Sequence, residues 1–203
     1  SIKSFNNLLG CSITLATIPE DAEYILIEIG TNNLGEISEL SKLVKPDFVI
    51  ITEVSIGHLE GLKSLRGILR EKASICDGQR EKGYALIPSD IETYSNLRKE
   101  VTLRGSIPIS FGRKKKSDYK IVNSRTNSEI SLVDLLLPNK EVVSYSLNAV
   151  GEHHVRNASA VLSLLSLMNL ELKKTLIKLS GWRPTEGRGE RVNINFCKFG
   201  QKV

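Results

Sequence analysis

The sequence predicts an α/β protein whose mostly parallel, doubly wound sheet is flanked by helices and carries a small antiparallel subsheet. Two short apolar runs, at 24–29 (YILIEI) and 47–51 (DFVII), are rich in Ile and Val, which is typical of strands covered on both faces. Between them, GEISELSKLV repeats its apolar residues at helical spacing, with Ile37, Leu40 and Val44 on one side. This order predicts a β-α-β unit with a right-handed crossover and two parallel strands.

The alternation of strand and helix patterns continues along the chain. It predicts a helix over about 62–75, a strand near 84–87, a helix from Ser89 or Asp90 to about 103, and a strand at 107–111. From 118 to 146, short alternating segments separated by Asn-Ser and Pro-Asn-Lys turns predict the antiparallel subsheet. Helices over about 151–168 and 171–179, a Gly- and Arg-rich loop, and a last strand over 192–199 complete the order.

Length and composition exclude several classes of protein. The 203 residues suffice for one main domain, and 40% apolar with 25% charged residues is typical of a folded globular protein. No apolar run approaches the roughly 18 residues of a membrane-spanning helix, and no signal peptide pattern is present, so we expect a cytoplasmic protein without a membrane partner. The three cysteines are far apart and form no CxxC pair, which argues against a disulfide framework or a zinc site.

The net charge of +5 raises the question of nucleic-acid binding. Much of the excess lies in one run of four cations, RKKK at 113–116, and no aromatic residues are interleaved with it. We therefore interpret this run as a solvated loop or hairpin tip and expect no nucleic-acid partner.

A carboxylate and an imidazole follow neighbouring strands of the predicted sheet. Glu28 ends the first apolar run, where an unpaired buried charge would cost several kcal/mol, and His58 follows the second run. Ligands of open α/β sheets bind in the crevice outside the carboxyl ends of the strands. The two side chains could therefore hold a metal ion there, although helix capping or pairing with arginine would equally explain Glu28, and His58 could be structural.

Lys72 lies on the apolar stripe of the helix predicted after His58. Leu62, Leu65, Leu69, Lys72 and Cys76 follow one another at intervals of three or four residues. Partial burial would lower the pKa of the lysine and favour the neutral amine, which can react with carbon dioxide to form a carbamate. A carbamate would be an oxygen ligand for a hard cation such as Mg²⁺. Alternatively, Lys72 lies at the margin of the stripe and extends its amine to water.

Two further segments contain side chains suited to a nucleotide. The segment GEHHVRNASA places His153 and Asn157 four residues apart, on one face near the start of a predicted helix, where they could contact a heterocycle such as adenine. Arg188 lies between two glycines, an arrangement that suits phosphate binding. Surface or capping roles for the first pair, and a plain turn at Arg188, are the alternatives.

Several of these segments resemble the central domain of the Mur ligase family. The resemblance is found in SFNNLLGCSITLA, EIGTNNLGEI, KPDFVIITEVSIGHLEG, REKASI, GEHHVRNASA and GRGE, and it runs through most of the chain. EIGTNNLGEI is the most specific of them and is most similar to the ligases that add D-alanyl-D-alanine. The sequence departs from the family at Glu53, where Asn is usual, and at His154, where Asn is again usual.

The resemblance implies roles for individual residues. Glu28 and His58 correspond to magnesium ligands, and Lys72 corresponds to the lysine that several members carbamylate to hold a second magnesium. The adenine contacts would be His153 and Asn157. The remaining correspondences are Arg188, at the ATP phosphates, and Asn6 and Asn7, near the nucleotide and substrate phosphates.

The resemblance also implies an activity, its cofactors and its partners. ATP and Mg²⁺ would serve the ligation of D-alanyl-D-alanine to UDP-N-acetylmuramoyl-tripeptide through an acyl phosphate, a step of peptidoglycan precursor synthesis, in a monomeric enzyme. No GxxxxGK[ST] phosphate loop occurs in the sequence, so we expect 1–203 to be an incomplete central domain containing the subsheet at 118–146. The phosphate loop would lie upstream and a C-terminal domain downstream, and this chain alone would be inactive. A nonenzymatic nucleotide-binding or interaction module, and a Mur ligase with another amino-acid substrate, are the alternatives.

Overall fold

The computed structural model describes residues 6–54, 64–80 and 83–184. Within these ranges the chain forms six strands and six α-helices, and a 3-10 turn, Ser74–Cys76, follows the third helix. None of these helices is long and apolar enough to cross a lipid bilayer. The strands are β1 Phe48–Ile50, β2 Tyr84–Pro88, β3 Ile107–Gly112, β4 Tyr119–Thr126, β5 Ser131–Leu136 and β6 Val142–Leu147. The helices are α1 Leu8–Ala16, α2 Glu36–Val44, α3 Leu65–Ala73, α4 Tyr94–Leu103, α5 Glu152–Leu167 and α6 Lys173–Gly181.

The strands form one sheet in the order β1-β2-β3-β4-β5-β6. The pairs β1–β2, β2–β3 and β3–β4 are parallel, and β4–β5 and β5–β6 are antiparallel. The parallel and antiparallel parts join through a short pairing, in which Phe111 and Gly112 of β3 are opposite Tyr119 and Lys120 of β4. The predicted α/β class with its antiparallel subsheet is therefore confirmed.

Both faces of the parallel sheet are covered, because successive side chains of a strand point to opposite sides. In β2, Ala85 and Ile87 belong to a core cluster that α3 and α4 complete, whereas Leu86 belongs to a second cluster with Phe111 and with Val155 of α5. All of these side chains are at most 1% exposed. Helices on both faces give the doubly wound arrangement that the continuous apolar runs predict.

The prediction of a strand at 24–29 is wrong for this structure. No strand is assigned there, and the apolar side chains are largely exposed, with Tyr24 at 61%, Ile25 at 54% and Leu26 at 85%. A strand requires a neighbour that pairs with its backbone, and the only partner of β1 among the described residues is β2. The apolar run indicates strand propensity but supplies no partner, so the β-α-β unit lacks its first strand.

Two predicted helix starts shift because residues near them form other hydrogen bonds. Helix α4 begins at Tyr94 rather than at Ser89 or Asp90, because the Ser89 N–H extends the ladder to the Phe111 carbonyl and the Asp90 carboxylate accepts two N–H groups of the β3–β4 loop. Helix α3 begins after Ser64, whose Oγ accepts the Gly67 N–H at 3.0 Å. The strand predicted at 192–199 lies outside the described residues.

The run of four cations forms the exposed loop between β3 and β4, as predicted. Arg113 does not remain free in solvent, since its guanidinium donates two hydrogen bonds of 2.8 Å to the carboxylate of Glu152. Glu152 is the first residue of α5, where a negative charge also interacts favourably with the helix dipole. The loop therefore attaches to the N-terminus of α5.

Candidate active site

Glu28 lies on an irregular segment that hydrogen bonds attach to the start of the described chain. The Asn6 side-chain amide donates to Glu28 Oε1 at 3.3 Å, and the Gly30 N–H donates to the Asn6 carbonyl at 2.8 Å. A Cβ at Gly30 would lie 2.6 Å from Asn6 Cγ, so a side chain at this position would displace the Asn6 side chain from Glu28. The structure thus brings together Asn6 and Glu28, two of the residues that the sequence predicts for the site.

Glu28 is exposed, so the predicted burial of its carboxylate is wrong. The sequence suggests a carboxylate at a buried strand end that a cation compensates, but the structure has no strand at this position. Exposure removes the cost of burial and leaves carboxylate oxygens accessible. Such oxygens suit Mg²⁺, so the chemistry of Glu28 fits the predicted ion without requiring it.

Asn7 has a structural role in this structure. Its side-chain oxygen accepts the Gly10 N–H at 3.0 Å, which makes it the N-cap of α1. The prediction that Asn7 contacts the nucleotide or substrate phosphates is not tested, but its side-chain oxygen is already occupied by the cap. Asn6 has the more direct relation to the predicted metal ligand.

Lys72 lies on α3 with its side chain partly buried. Burial lowers the pKa of its amine below the ordinary value, and the nearby carboxylate of Glu53 opposes this by a smaller amount. Its neighbours on the predicted stripe are more deeply buried, with Leu69 at 3% and Cys76 at 1% exposure. Lys72 is therefore the less buried member of this group, and its amine is partly desolvated.

Glu53 also forms an ion pair that the sequence does not predict. Its Oε2 lies 2.7 Å from the Arg156 guanidinium, and the two side chains retain 34% and 20% exposure. The pair joins the end of the β1 segment to α5 across 103 residues of sequence. Glu53 thus lies between Lys72 and the helix that carries the predicted nucleobase contacts.

His153 and Asn157 are both exposed on the first turns of α5, as their spacing predicts. His154, which follows His153, is 8% exposed, and its Nε2 is buried without a hydrogen-bond partner among the described residues. Its ring lies 3.9 Å from that of His153 and 5.5 Å from that of Trp182, measured between centroids. Burial lowers the pKa of the His154 imidazole, and His153 lowers it further. The three rings form a cluster that includes His153, one of the two predicted nucleobase contacts.

Two of the predicted site residues, His58 and Arg188, lie outside the described residues. Across the ranges 6–54, 64–80 and 83–184, no group of three His, Cys, Asp or Glu side chains could hold a metal ion. The predicted set consists of Glu28, His58 and a modified lysine, so only one unmodified ligand falls within those ranges. The metal assignment therefore stays a prediction.

Comparison of this sequence with models of known protein families assigns the chain to a family. A family model for the Mur ligase middle domain matches residues 1–165, which is most of the chain. The chain belongs to the Mur ligase middle domain family. The resemblance seen in the sequence motifs is thereby confirmed.

One Mur ligase relative is the UDP-N-acetylmuramoyl-tripeptide–D-alanyl-D-alanine ligase of Rickettsia prowazekii. It is 29% identical to this chain over 195 residues, which are 94% of the chain and 42% of that ligase. The chain therefore spans about two fifths of the relative's length.

Solved Mur ligases share the fold. MurF from Acinetobacter baumannii superposes with a TM-score of 0.84 at 24% identity, covering 93% of this chain and 41% of MurF. The MurF ligase from Thermotoga maritima, solved in complex with ADP, has a TM-score of 0.67 at 20% identity, covering 81% of this chain and 38% of its own. At these identities the superpositions confirm the Mur ligase fold and carry no statement about individual residues.

Three charged residues near the predicted site residues have contacts that the sequence does not predict. Glu53 and Arg156 form the ion pair described above, and Glu71, which precedes Lys72, is only 4% exposed. Glu71 had a detectable signal, because it lies three residues after Ile68, which is buried on the same helix. The pairing of Glu53 with Arg156 had none, since nothing local relates two residues so far apart.

Proposed function

We propose that this chain is the central domain of an ATP-dependent ligase that joins D-alanyl-D-alanine to UDP-N-acetylmuramoyl-tripeptide. The observation that carries the proposal is the similarity to a relative named for this activity, which extends over 94% of the chain. The MurF ligase that is similar in fold was solved with ADP, which supports ATP as the nucleotide. The activity is proposed for the complete protein that contains this chain.

In the proposed reaction, the γ-phosphoryl group of ATP passes to the terminal carboxylate of the tripeptide. The amine of D-alanyl-D-alanine then attacks the activated carbonyl, an amide bond forms, and phosphate leaves. The chain's own residues would bind and orient the nucleotide. His153 and Asn157 are exposed on one face of α5 and would contact the adenine, and Arg188 would contact the phosphates.

Magnesium would be held by Glu28, His58 and Lys72. When bound, the ion would neutralise charge on the phosphate oxygens of the nucleotide. The support from Lys72 is its partial burial, which lowers its pKa and increases the fraction of neutral amine. That amine can attack carbon dioxide, forming an N–C bond and releasing a proton, and the resulting carbamate would supply oxygen ligands.

The test is steady-state ATP turnover by the complete protein in the presence of both UDP-N-acetylmuramoyl-tripeptide and D-alanyl-D-alanine. Lys72→Ala is compared with Lys99→Ala, which removes an exposed lysine from α4. We expect turnover to require both substrates, to be lost in Lys72→Ala, to return partly with short-chain carboxylic acids, and to be unchanged in Lys99→Ala.

Other outcomes assign other functions. Preference for meso-diaminopimelate or glutamate over D-alanyl-D-alanine would indicate a ligase with a different amino-acid substrate. Nucleotide binding by wild type without turnover would indicate a nonenzymatic binding module. Full activity in Lys72→Ala would retain the ligase but reduce Lys72 to a lysine that extends its amine to water.

A further inference from the structure

The carboxylate of Glu71 is buried against the N-terminus of a neighbouring helix. Its Oε2 accepts the Gly35 N–H at 2.7 Å, and its Oε1 accepts the Ile37 N–H at 2.9 Å. The Thr31 hydroxyl approaches Oε1 at 3.5 Å. Both carboxylate oxygens of this side chain, which is 4% exposed, are therefore engaged by the start of α2.

Helix α2 depends on this carboxylate because it has no cap from its own N-cap residue. The N-cap is Gly35, which has φ of +95° and no side chain to accept the free amides of the first turn. Among the described residues no ion pair includes Glu71, so its charge is stabilised by backbone N–H groups and the positive end of the helix dipole. The buried carboxylate of Glu71 and these two backbone N–H groups thus supply each other's hydrogen-bond partners.

The contact connects the two segments that carry predicted magnesium ligands. The loop 31–35 begins three residues after Glu28, and a second carboxylate, that of Glu36, accepts the Asn32 N–H of the same loop at 2.8 Å. On the other side, Glu71 is followed on α3 by Lys72. Consecutive residues of a helix point about 100° apart, so Glu71 can contact α2 while Lys72 points in another direction.

We infer that Glu71 is a positioning residue of the active site, which holds the loop after Glu28 at a fixed distance from the turn of α3 that carries Lys72. The inference rests on the proposed function, because it is that function which makes Glu28 and Lys72 metal ligands. Glu71 is not itself a ligand, since its oxygens already accept N–H groups. It acts as the outer partner that orients residues binding the ion.

The experiment compares Glu71→Gln in the complete protein with two matched controls. Glu39→Gln makes the same change of charge at an exposed position in the first turn of α2, and Leu69→Ala removes a buried side chain from the same helix as Glu71. The measurements are hydrogen exchange at the Gly35 and Ile37 amides, Mn²⁺ affinity by electron paramagnetic resonance with a nonhydrolysable ATP analogue, and ATP turnover. Unfolding by urea places the stability of all variants on one scale.

The expected result is specific to Glu71→Gln. Its side-chain amide can accept only through one oxygen, so one N–H of α2 loses its partner and exchange there accelerates by about tenfold. We expect Mn²⁺ affinity and turnover to fall by about tenfold as well, within the range for residues that orient metal ligands. Leu69→Ala should lose stability without losing Mn²⁺ affinity. Glu71→Asp keeps the carboxylate, so it should retain more Mn²⁺ affinity than Glu71→Gln.

Three results would overturn the inference. Mn²⁺ affinity in Glu71→Gln equal to that of both controls would leave Glu71 with a role in stability alone. A loss of affinity with unchanged amide exchange would indicate direct ligation instead. Absence of Mn²⁺ binding in wild type would overturn both this inference and the proposed metal site. Mn²⁺ binding without turnover would contradict only the proposed ligase activity, and the exchange and affinity data would still decide the role of Glu71.

Discussion

The ion pair between Glu53 and Arg156 should contribute measurably to stability, because it joins the segment that follows β1 to α5 in a partly desolvated environment. The perturbation is a double-mutant cycle of Glu53→Gln, Arg156→Met and the combined variant. Gln keeps the shape of the glutamate, and Met keeps most of the apolar stem of the arginine. The cycle therefore isolates the interaction of the two charges from the packing of their side chains.

The magnitude follows from the exposure of the pair. Exposed ion pairs contribute about 0.2–1 kcal/mol, whereas removing one partner of a fully buried pair costs about 3–5 kcal/mol. At 34% and 20% exposure and a 2.7 Å separation, this pair lies between those limits. We expect each single substitution to cost about 2 kcal/mol and the coupling energy to be about 1 kcal/mol, or about fivefold in the unfolding equilibrium.

Urea unfolding of the 203-residue chain measures both quantities, provided that the dependence on urea is the same for all variants. A coupling energy within about 0.3 kcal/mol of zero would refute the reasoning, since it would mean that solvent already screens the pair. A single variant more stable than wild type would refute it differently, by showing that desolvation of the charges exceeds their attraction.

Three further predictions concern the fold and its dependence on pH. Gly112→Ala should lower the free energy of unfolding by about 2–4 kcal/mol in thermal unfolding, because φ of Gly112 is +141° and the new Cβ would lie 2.6 Å from Asp90 Oδ2. Gly181→Ala is the control, since nothing lies within 4 Å of a Cβ at that position. Leu86→Ala should cost about 2–5 kcal/mol in urea unfolding, because the side chain is fully buried in β2. Hydrogen bonds from two asparagines and the nearby threonine lower the pKa of Glu36 from 4.5 to about 2. Its contribution to stability is present above pH 4.5 and disappears as the pH falls through about 2, so the stability difference between wild type and Glu36→Gln should shrink over that interval; a constant difference would contradict this.

Most of the fold could be predicted because local periodicity reports which faces of an element are buried. The runs at 47–51 and 84–87 predict the parallel strands β1 and β2, and the turn residues between 118 and 146 mark the antiparallel strands. The run at 24–29 has the same composition, yet it forms no strand among the described residues. Pairing needs a neighbouring backbone, which composition does not report.

The candidate site could be predicted only in part for a similar reason. The spacing on α3 places Lys72 on the apolar stripe, and its side chain is partly buried in the structure; the spacing on α5 indicates that His153 and Asn157 share an exposed face. Glu28 is exposed rather than buried, because its burial depended on a strand that did not form. Assignments based on family motifs, including those for His58 and Arg188, remain predictions.

The amino-acid sequence by itself determined the family of this chain, the order of most helices and strands, and the faces that those elements present to the core. These properties depend on residues that are close in sequence, whose spacing is fixed by the geometry of a helix or a strand. Only the tertiary structure decided that Glu71 stabilises the start of α2 and that Glu53 pairs with Arg156, 103 residues away. Such contacts depend on how separate elements pack, and a buried charge is retained only where that packing supplies partners for it.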